Sequence, residues 1–373
     1  MNKVKLIKNE KIVYLTFIFF KLYKYKMSSL PEFDFNYKKF LDRSTILFGE
    51  SGTGKSTIID DMLFQIKPFV GQIVVFCPTD RNNKAYSGGR VPLPCIHDKI
   101  TDEVLKDIWS RQSALTQVYK RANNPEILRK LFIRIQNQTG LAAIEGAKRK
   151  QREYENEIKN EMDEGSAKCA IAEMDKDTKK LIELIYKHYI NENRSKLLKM
   201  NLSKNEQYSI KYLNINPRLV IIFDDCSSQL NSLKKNKVIQ DIFYQGRHVY
   251  ITTFIAIQTD KVLDPELKKN AFVSIFTEES CASAYFERKS NDLDKEAKNR
   301  ARNACKMAFS PLPTLKHQKL AWVRDEKRFY KLIATKHDDF RFGNPIIWNY
   351  CEQIQADLGE VSSDNKFMQE FMD

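Results

Sequence analysis

The residues with the most legible chemistry are Gly49-Glu50-Ser51-Gly52-Thr53-Gly54-Lys55-Ser56, which fill every fixed position of G-x-x-x-x-G-K-[ST]. Glycines at this spacing let the backbone curl so that successive N–H groups converge on phosphate oxygens. A lysine in this place reaches the β- and γ-phosphates of a nucleotide, and the hydroxyl that follows can ligate Mg²⁺. The candidate nucleotide-binding set is therefore Gly49, Glu50, Ser51, Gly52, Thr53, Gly54, Lys55, Ser56 and Thr57. ATP and Mg²⁺ are the expected cofactors.

Such a site also needs a carboxylate for the metal. Leu219–Phe223 is wholly apolar and runs into Asp224 and Asp225. A run this apolar suits a parallel strand buried on both faces, and an acid at its carboxyl end stands where open α/β sheets bind ligands. Asp224 is the expected magnesium ligand beside Ser56, and Asp225 the group that polarises the attacking water. A further strand, Tyr250–Ile257, ends in Gln258, an amide placed to sense a γ-phosphate or orient water. Ahead of that strand lies Gly246-Arg247-His248. Arg247 has two readings: an arginine finger directed at a neighbouring subunit's γ-phosphate, or a surface arginine before a strand.

These residues require a framework. Ser44–Phe48 is β-like ahead of the glycine-rich loop, and Ile58, Ile59, Met62, Leu63 and Ile66 recur at helical spacing after it. Gln72–Cys77 and Ala271–Thr277 supply further strands. Lys319–Val323 and Phe329–Ala334 read as a late hairpin around a charged turn. The expected fold is α/β: a RecA-like P-loop additional-strand ATPase with a mostly parallel central sheet flanked by helices. Its core falls in two parts, 27–100 and 218–356. Between them, 101–217 is a charged, helix-rich insertion with apolar stripes at Ile127, Leu128, Leu131, Phe132, Ile135 and at Leu181, Ile182, Ile185, Tyr189. Lys148–Glu164 is nearly all polar and suits a projecting helical hairpin, either a DNA- or partner-contacting arm or a solvated elaboration. Residues 357–373 read as a polar, frayed tail.

Charge points to a polyanionic partner. The net charge is +14, which favours nucleic acid first and an anionic membrane second. The seven cysteines are scattered, with no C-x-x-C pair, so neither a disulfide framework nor a zinc site is expected, and a reducing, intracellular compartment fits. The stretch 1–26 has an apolar run, Ile12–Phe20, flanked by lysines. It falls short of the ~18–20 apolar residues that cross a bilayer and lacks a cleavage signal. It reads as residues upstream of a true start at Met27, as an added strand or helix, or as a membrane-surface anchor. A soluble body is expected.

Rival nucleotide enzymes fit less well. A Ras-like GTPase would carry Asn-Lys-x-Asp after a late strand, where this chain has Gln258-Thr259-Asp260-Lys261. A small nucleotide kinase would lack so long an insertion before the acidic strand. The phosphate loop, Ile221-Ile222-Phe223-Asp224-Asp225, and Gly246-Arg247-His248 before a strand ending in Gln258 resemble the genome-packaging ATPases of large cytoplasmic DNA viruses. These form the poxvirus-type branch of the FtsK–HerA superfamily. The resemblance covers roughly 40–90 and 215–280. It implies an ATP-driven translocase of double-stranded DNA that works as a homo-oligomeric ring at a virus assembly site in the host cytoplasm. It further implies capsid or membrane proteins of a virion as partners and the virion as a second location. It assigns phosphate binding to Lys55, metal binding to Asp224, water activation to Asp225, nucleotide sensing to Gln258 and a trans-acting role to Arg247. At one position the chain departs from the pattern: the wider superfamily has Glu where this chain has Asp225, which leaves Glu50 and Asp80 as alternative acids. Two other functions stay open. One is a helicase or cellular ring translocase, which strand separation of a forked duplex would reveal. The other is a low-turnover nucleotide-binding scaffold.

Overall fold

The structure, a computed structural model, describes residues 30–33, 39–291, 293–309 and 317–364. The stretch 1–26, whose role the sequence left open, lies outside the described residues.

Apolar runs become strands where both faces can be covered. β1 (Ser44–Phe48) is buried at every position and leads through the glycine-rich loop into α1 (Lys55–Ile66). β2 (Gln72–Phe76) follows, then a single turn Asp80–Asn83 and a two-residue strand, β3 (Ile96–His97), which the sequence did not announce. The chain then enters α2 (Asp102–Ala122), α3 (Pro125–Ile135), α4 (Gln138–Glu161), α5 (Glu164–Glu192) and α6 (Lys204–Tyr212). It returns as β4 (Leu219–Asp224), α7 (Ser227–Leu233), α8 (Lys237–Gln245) and β5 (Ile251–Ile257). The remainder is α9 (Pro265–Lys269), β6 (Val273–Phe276), α10 (Glu279–Glu287), α11 (Lys295–Ala308), β7 (Lys319–Val323), β8 (Arg328–Leu332) and α12 (Pro345–Asp364).

The eight strands form one sheet in the order β3-β2-β4-β5-β1-β6-β7-β8. Pairing is parallel from β3 through β6 and antiparallel for β6-β7-β8. The fold is thus the mixed α/β architecture expected, with helices on both faces. Alternate strand residues divide between two cores. Leu47, Val75, Val220, Ile222, Phe254 and Ala256 pack with α1, while Ile46, Phe48, Phe223, Ile255 and Phe276 pack with α7, α8, α10 and α11. That alternation is the pleat of a sheet covered on both sides.

The chain divides into two compact units, 1–112 with 217–373, and Ser113–Asn216. The boundary falls inside α2. At that point Gln112 Nε2 donates to the carbonyls of Pro217 (2.6 Å) and Val249 (2.5 Å), tying the two crossings of the chain together. The helical unit has its own core of Leu128, Leu131, Ile135, Ile190, Leu197, Leu202, Ile210 and Leu213. Here α4 and α5 form the hairpin suggested by the polar run. Side-chain caps at Asn124, Asn137 and Asp163 start α3, α4 and α5. Arg134 and Glu206 clasp α3 to α6 at 2.8 Å.

α12 runs through Asp364, into the stretch read as a polar tail from 357, and 365–373 lie outside the described residues. Its start explains the difference. Pro345 occupies the first helical turn, the Asn344 side chain accepts from the amide of Ile346, and the Trp348 indole donates to the Phe342 carbonyl. A nucleated helix propagates until something stops it, and no proline follows.

Gly140 of α4 is crowded by side chains of α3 and α5: a Cβ there would lie 2.7 Å from the Phe132 ring and 2.9 Å from Tyr189. Helix propensity alone favours Gly140→Ala by about 1 kcal/mol, but overpacking costs about 1–3 kcal/mol, so we expect a net loss of about 1 kcal/mol. Hydrogen exchange of peptides from 125–192 should rise in this variant. Unchanged or slower exchange would show that the ring pair yields freely.

Candidate nucleotide site

Parallel pairing of β1 between β5 and β6, and of β5 with β4, brings the carboxyl ends of these strands to one edge. The glycine-rich loop leaves β1 at that edge. Gly54 has φ +92°, a left-handed conformation that side chains resist. Gly49 is fixed by proximity, since a Cβ there would fall 1.7 Å from Thr277 Oγ1. Thr277, just past β6, shares a hydrogen bond with Thr53 (2.7 Å) and donates to the Phe48 carbonyl (3.2 Å). The loop is therefore braced from the β6 side. It delivers its amides to the start of α1, where the first turn has no intrahelical acceptors for its N–H groups.

Lys55 is only 5% exposed. Its ammonium donates to the carbonyls of Gly49 (2.8 Å) and Glu50 (2.7 Å), which hold it at the mouth of the loop. An ammonium carries three protons, so one is left for a phosphate oxygen. Beside it, Ser56 Oγ donates to Asp224 Oδ2 (3.3 Å) and the Tyr86 hydroxyl donates to the same oxygen (2.8 Å). Both donors converge on Oδ2. Among the described residues, Oδ1 accepts no hydrogen bond. A hydroxyl and a carboxylate at hydrogen-bond distance are hard oxygen donors, so Ser56 and Asp224 fit Mg²⁺.

Burial raises the pKa of Asp224 above the ordinary carboxylate range; the Tyr86 hydrogen bond pulls it back, Asp225 pushes it up, and Lys55 and Ser56 lower it. Burial and the Asp224 charge hold the Tyr86 phenol well above its usual range, so it stays a donor. Asp225 follows β4 at φ +53°, a strained angle for a residue with a side chain. Its Oδ2 accepts from Thr79 Oγ1 (2.9 Å).

The loop after β2 thus supplies two partners that sequence reading missed, Thr79 and Tyr86. Asp80, one of the alternative acids, is engaged elsewhere. Its carboxylate accepts from the amides of Tyr86 (2.7 Å) and Ser87 (3.3 Å) and so shapes that loop. Glu50 is exposed and lines, with Phe48 and Gln258, a 470 Å³ hollow beyond the end of β5. Gln258 is exposed at that strand end. The chain beyond it is anchored by buried Asp260, which takes Lys268 (3.4 Å) and Arg288 (2.6 Å).

Lys55, Ser56, Asp224, Asp225 and Gln258 therefore share one edge of the sheet. Arg247 does not. It is exposed in a single 3₁₀ turn, Gly246–Val249, before β5, and its Nε donates to His248 Nε2 (3.3 Å). The strand between Arg247 and Gln258 spans roughly 20 Å, so this guanidinium sits at the opposite edge. There it lines a 400 Å³ hollow with Asp42, Arg43, Lys269 and Asp325.

No family model matches the chain. By sequence it is similar to "Uncharacterized protein B354L" of African swine fever virus (isolate Warthog/Namibia/Wart80/1980), 28% identical over 364 residues, which covers 92% of this chain and 96% of that one. It is also similar to "Uncharacterized protein L437" of Acanthamoeba polyphaga mimivirus, 23% identical over 246 residues, or 66% of this chain and 55% of that one. Among solved structures, the genome packaging NTPase B204 of Sulfolobus turreted icosahedral virus 2 in complex with ATP-gammaS aligns at 12% identity and a TM-score of 0.35, over 78% of this chain and 96% of that one. The pCW3 conjugation coupling protein TcpA aligns at 13% and 0.38, over 84% of this chain and 71% of that one.

The Asp224–Tyr86 pair gives a pH-dependent expectation. Protons compete with Mg²⁺ for a carboxylate whose pKa is already raised, so metal binding weakens as pH falls. Tyr86→Phe removes a bond that favours the ionised form. Its Mg²⁺ requirement for tight nucleotide binding should rise about tenfold below neutral pH, and the pH midpoint should move upward. Superimposable Mg²⁺ titrations of the two proteins at each pH would remove this role from Tyr86.

Proposed function

We propose that this chain is an ATP-driven translocase of double-stranded DNA that packages a viral genome into its capsid, acting as a homo-oligomeric ring at a virus assembly site in the host cytoplasm. The observation that carries the nucleotide part is the meeting of Lys55, Ser56 and Asp224 at the carboxyl edge of a parallel sheet. The net charge of +14 and the similarity to proteins of two viruses support the DNA and viral parts. When bound, Mg²⁺ would neutralise charge on the β- and γ-phosphate oxygens. Lys55, held by its two carbonyl acceptors, gives its remaining proton to a phosphate oxygen. Asp225, positioned by Thr79, polarises water, and Gln258 orients it from the neighbouring strand end. Capsid or membrane proteins of the virion are the proposed docking partners of the ring.

Purified protein should hydrolyse ATP in a Mg²⁺-dependent manner. Lys55→Ala should remove about 3–4 kcal/mol of transition-state stabilisation, a loss of roughly 10²–10³ in rate. Equal turnover with alanine at 55 would reject the site. Duplex DNA should stimulate the wild-type rate, with an effect that fades steeply with salt and depends little on base sequence. Turnover indifferent to DNA at low salt would reject the translocase reading.

Arg247 lies too far from its own chain's Lys55 to assist there, but in a ring it can reach a neighbour's nucleotide. A finger of this kind is worth about 10³–10⁵ in rate. Arg247→Ala should therefore bind nucleotide normally and lose most turnover. Mixing it with Lys55→Ala should recover part of the activity, because the Lys55 variant still donates its arginine to the intact site next door. Full activity of the Arg247→Ala protein would leave this residue a surface arginine.

A further inference from the structure

The antiparallel hairpin β7–β8 lies outside the segments that resemble packaging ATPases, yet it places a second lysine at the phosphate loop. β7 runs antiparallel to β6 with Phe276 opposite Leu320, so Lys319, the first residue of β7, stands opposite Thr277 at the carboxyl edge of the parallel strands. Its ammonium donates to the Thr277 carbonyl at 3.5 Å. Its Cε lies 3.9 Å from the position that a Cβ on Gly54 would take, against the last glycine before Lys55. Thr277 is the same residue whose hydroxyl braces Thr53 and crowds Gly49. Lys55 and Asp224 form one wall of the loop, then, and Thr277 with Lys319 forms the other.

We propose that Lys319 is a second phosphate-binding lysine, which contacts the diphosphate portion of a bound nucleoside di- or triphosphate from the β6–β7 side. The inference rests on the nucleotide-site reading above. The long 3.5 Å bond to one carbonyl leaves most of the ammonium's donor capacity unused. Burial pulls the pKa of this lysine down, with Glu278 opposing, as expected of a cation short of full compensation. A polyphosphate on the amides of Gly54 and Lys55 would supply that compensation. Lys55 is assigned to the β- and γ-phosphates, so the loss of Lys319 should affect ADP and ATP alike, whereas a γ-phosphate contact would affect ATP only.

The test is equilibrium binding of fluorescent ADP and ATP analogues to the full chain as wild type, Lys319→Met, Lys319→Arg and Lys55→Ala. Lys319→Met keeps the aliphatic stem, and its thermal unfolding should match wild type. Its affinity should fall about tenfold or more for both nucleotides, and Lys319→Arg should recover most of it. Unchanged affinities in a folded Lys319→Met protein would overturn the inference and leave the nucleotide site standing. A loss confined to ATP would overturn the diphosphate assignment. If Lys319→Met does not fold, Lys319→Arg decides: affinities that fall with it as far as with Lys55→Ala would mark a packing role and overturn the proposal. A wild-type protein that binds neither nucleotide would overturn the site reading, and this inference with it.

Discussion

The structure depends on one constraint: the parallel strands are buried on both faces. Parallel neighbours cannot be joined by tight turns, so each connection is a long crossover, helical in most cases and a loop with a single turn between β2 and β3. Every such crossover begins at the same edge. The loop that leaves β1, the acids that follow β4 and the amide that follows β5 are therefore neighbours in space, although Ser56 and Asp224 are 168 residues apart. The apolar residues that make the strands interchangeable in composition are thus the reason the polar ones converge.

Convergence alone leaves a buried carboxylate costly to ionise. The loop after β2 offsets that cost. Asp80 accepts from the amides of Tyr86 and Ser87, which orients Tyr86, and the phenol then donates to Asp224. This chain of contacts makes Asp80 a positioning group, and Asp225 has its own hydroxyl partner in Thr79. Asp225 itself sits on a left-handed backbone, at φ +53°.

Much of this was legible because local pattern and burial agree. The strand before the glycine-rich loop, the stripe of α1, the apolar run of β4 and the β-branched, fully buried run of β5 each dictate their own element. The polar run 148–164 is the second half of α4 and the turn into α5, which Asp163 caps. The illegible parts depend on contacts across the chain. β3 is two residues long and exists through pairing with β2. Tyr86 lies in a polar loop whose sequence signals only a turn, and its partner is 138 residues away. Thr277 is an ordinary strand-end threonine until Gly49 and Thr53 close on it. Of the second stripe read in the helical unit, Leu181 is 48% exposed and Ile182, Ile185 and Tyr189 are half-buried, while the fully buried neighbour is Ile190, outside the stripe, because the core there ends before the tip of the hairpin.

The paired hydrogen bonds of Gln112 to Pro217 and Val249 mean that the helical unit departs and returns through one neck. To the sheet, those residues amount to a loop with fixed ends. Closing a loop costs entropy that grows only with the logarithm of its length, about 0.6 kcal/mol per doubling. Lineages of this chain can therefore lengthen, shorten or replace the unit with little penalty to the edge that carries Lys55 and Asp224. Divergence should concentrate beyond the neck, making this the part of the molecule most readily refitted to a new partner.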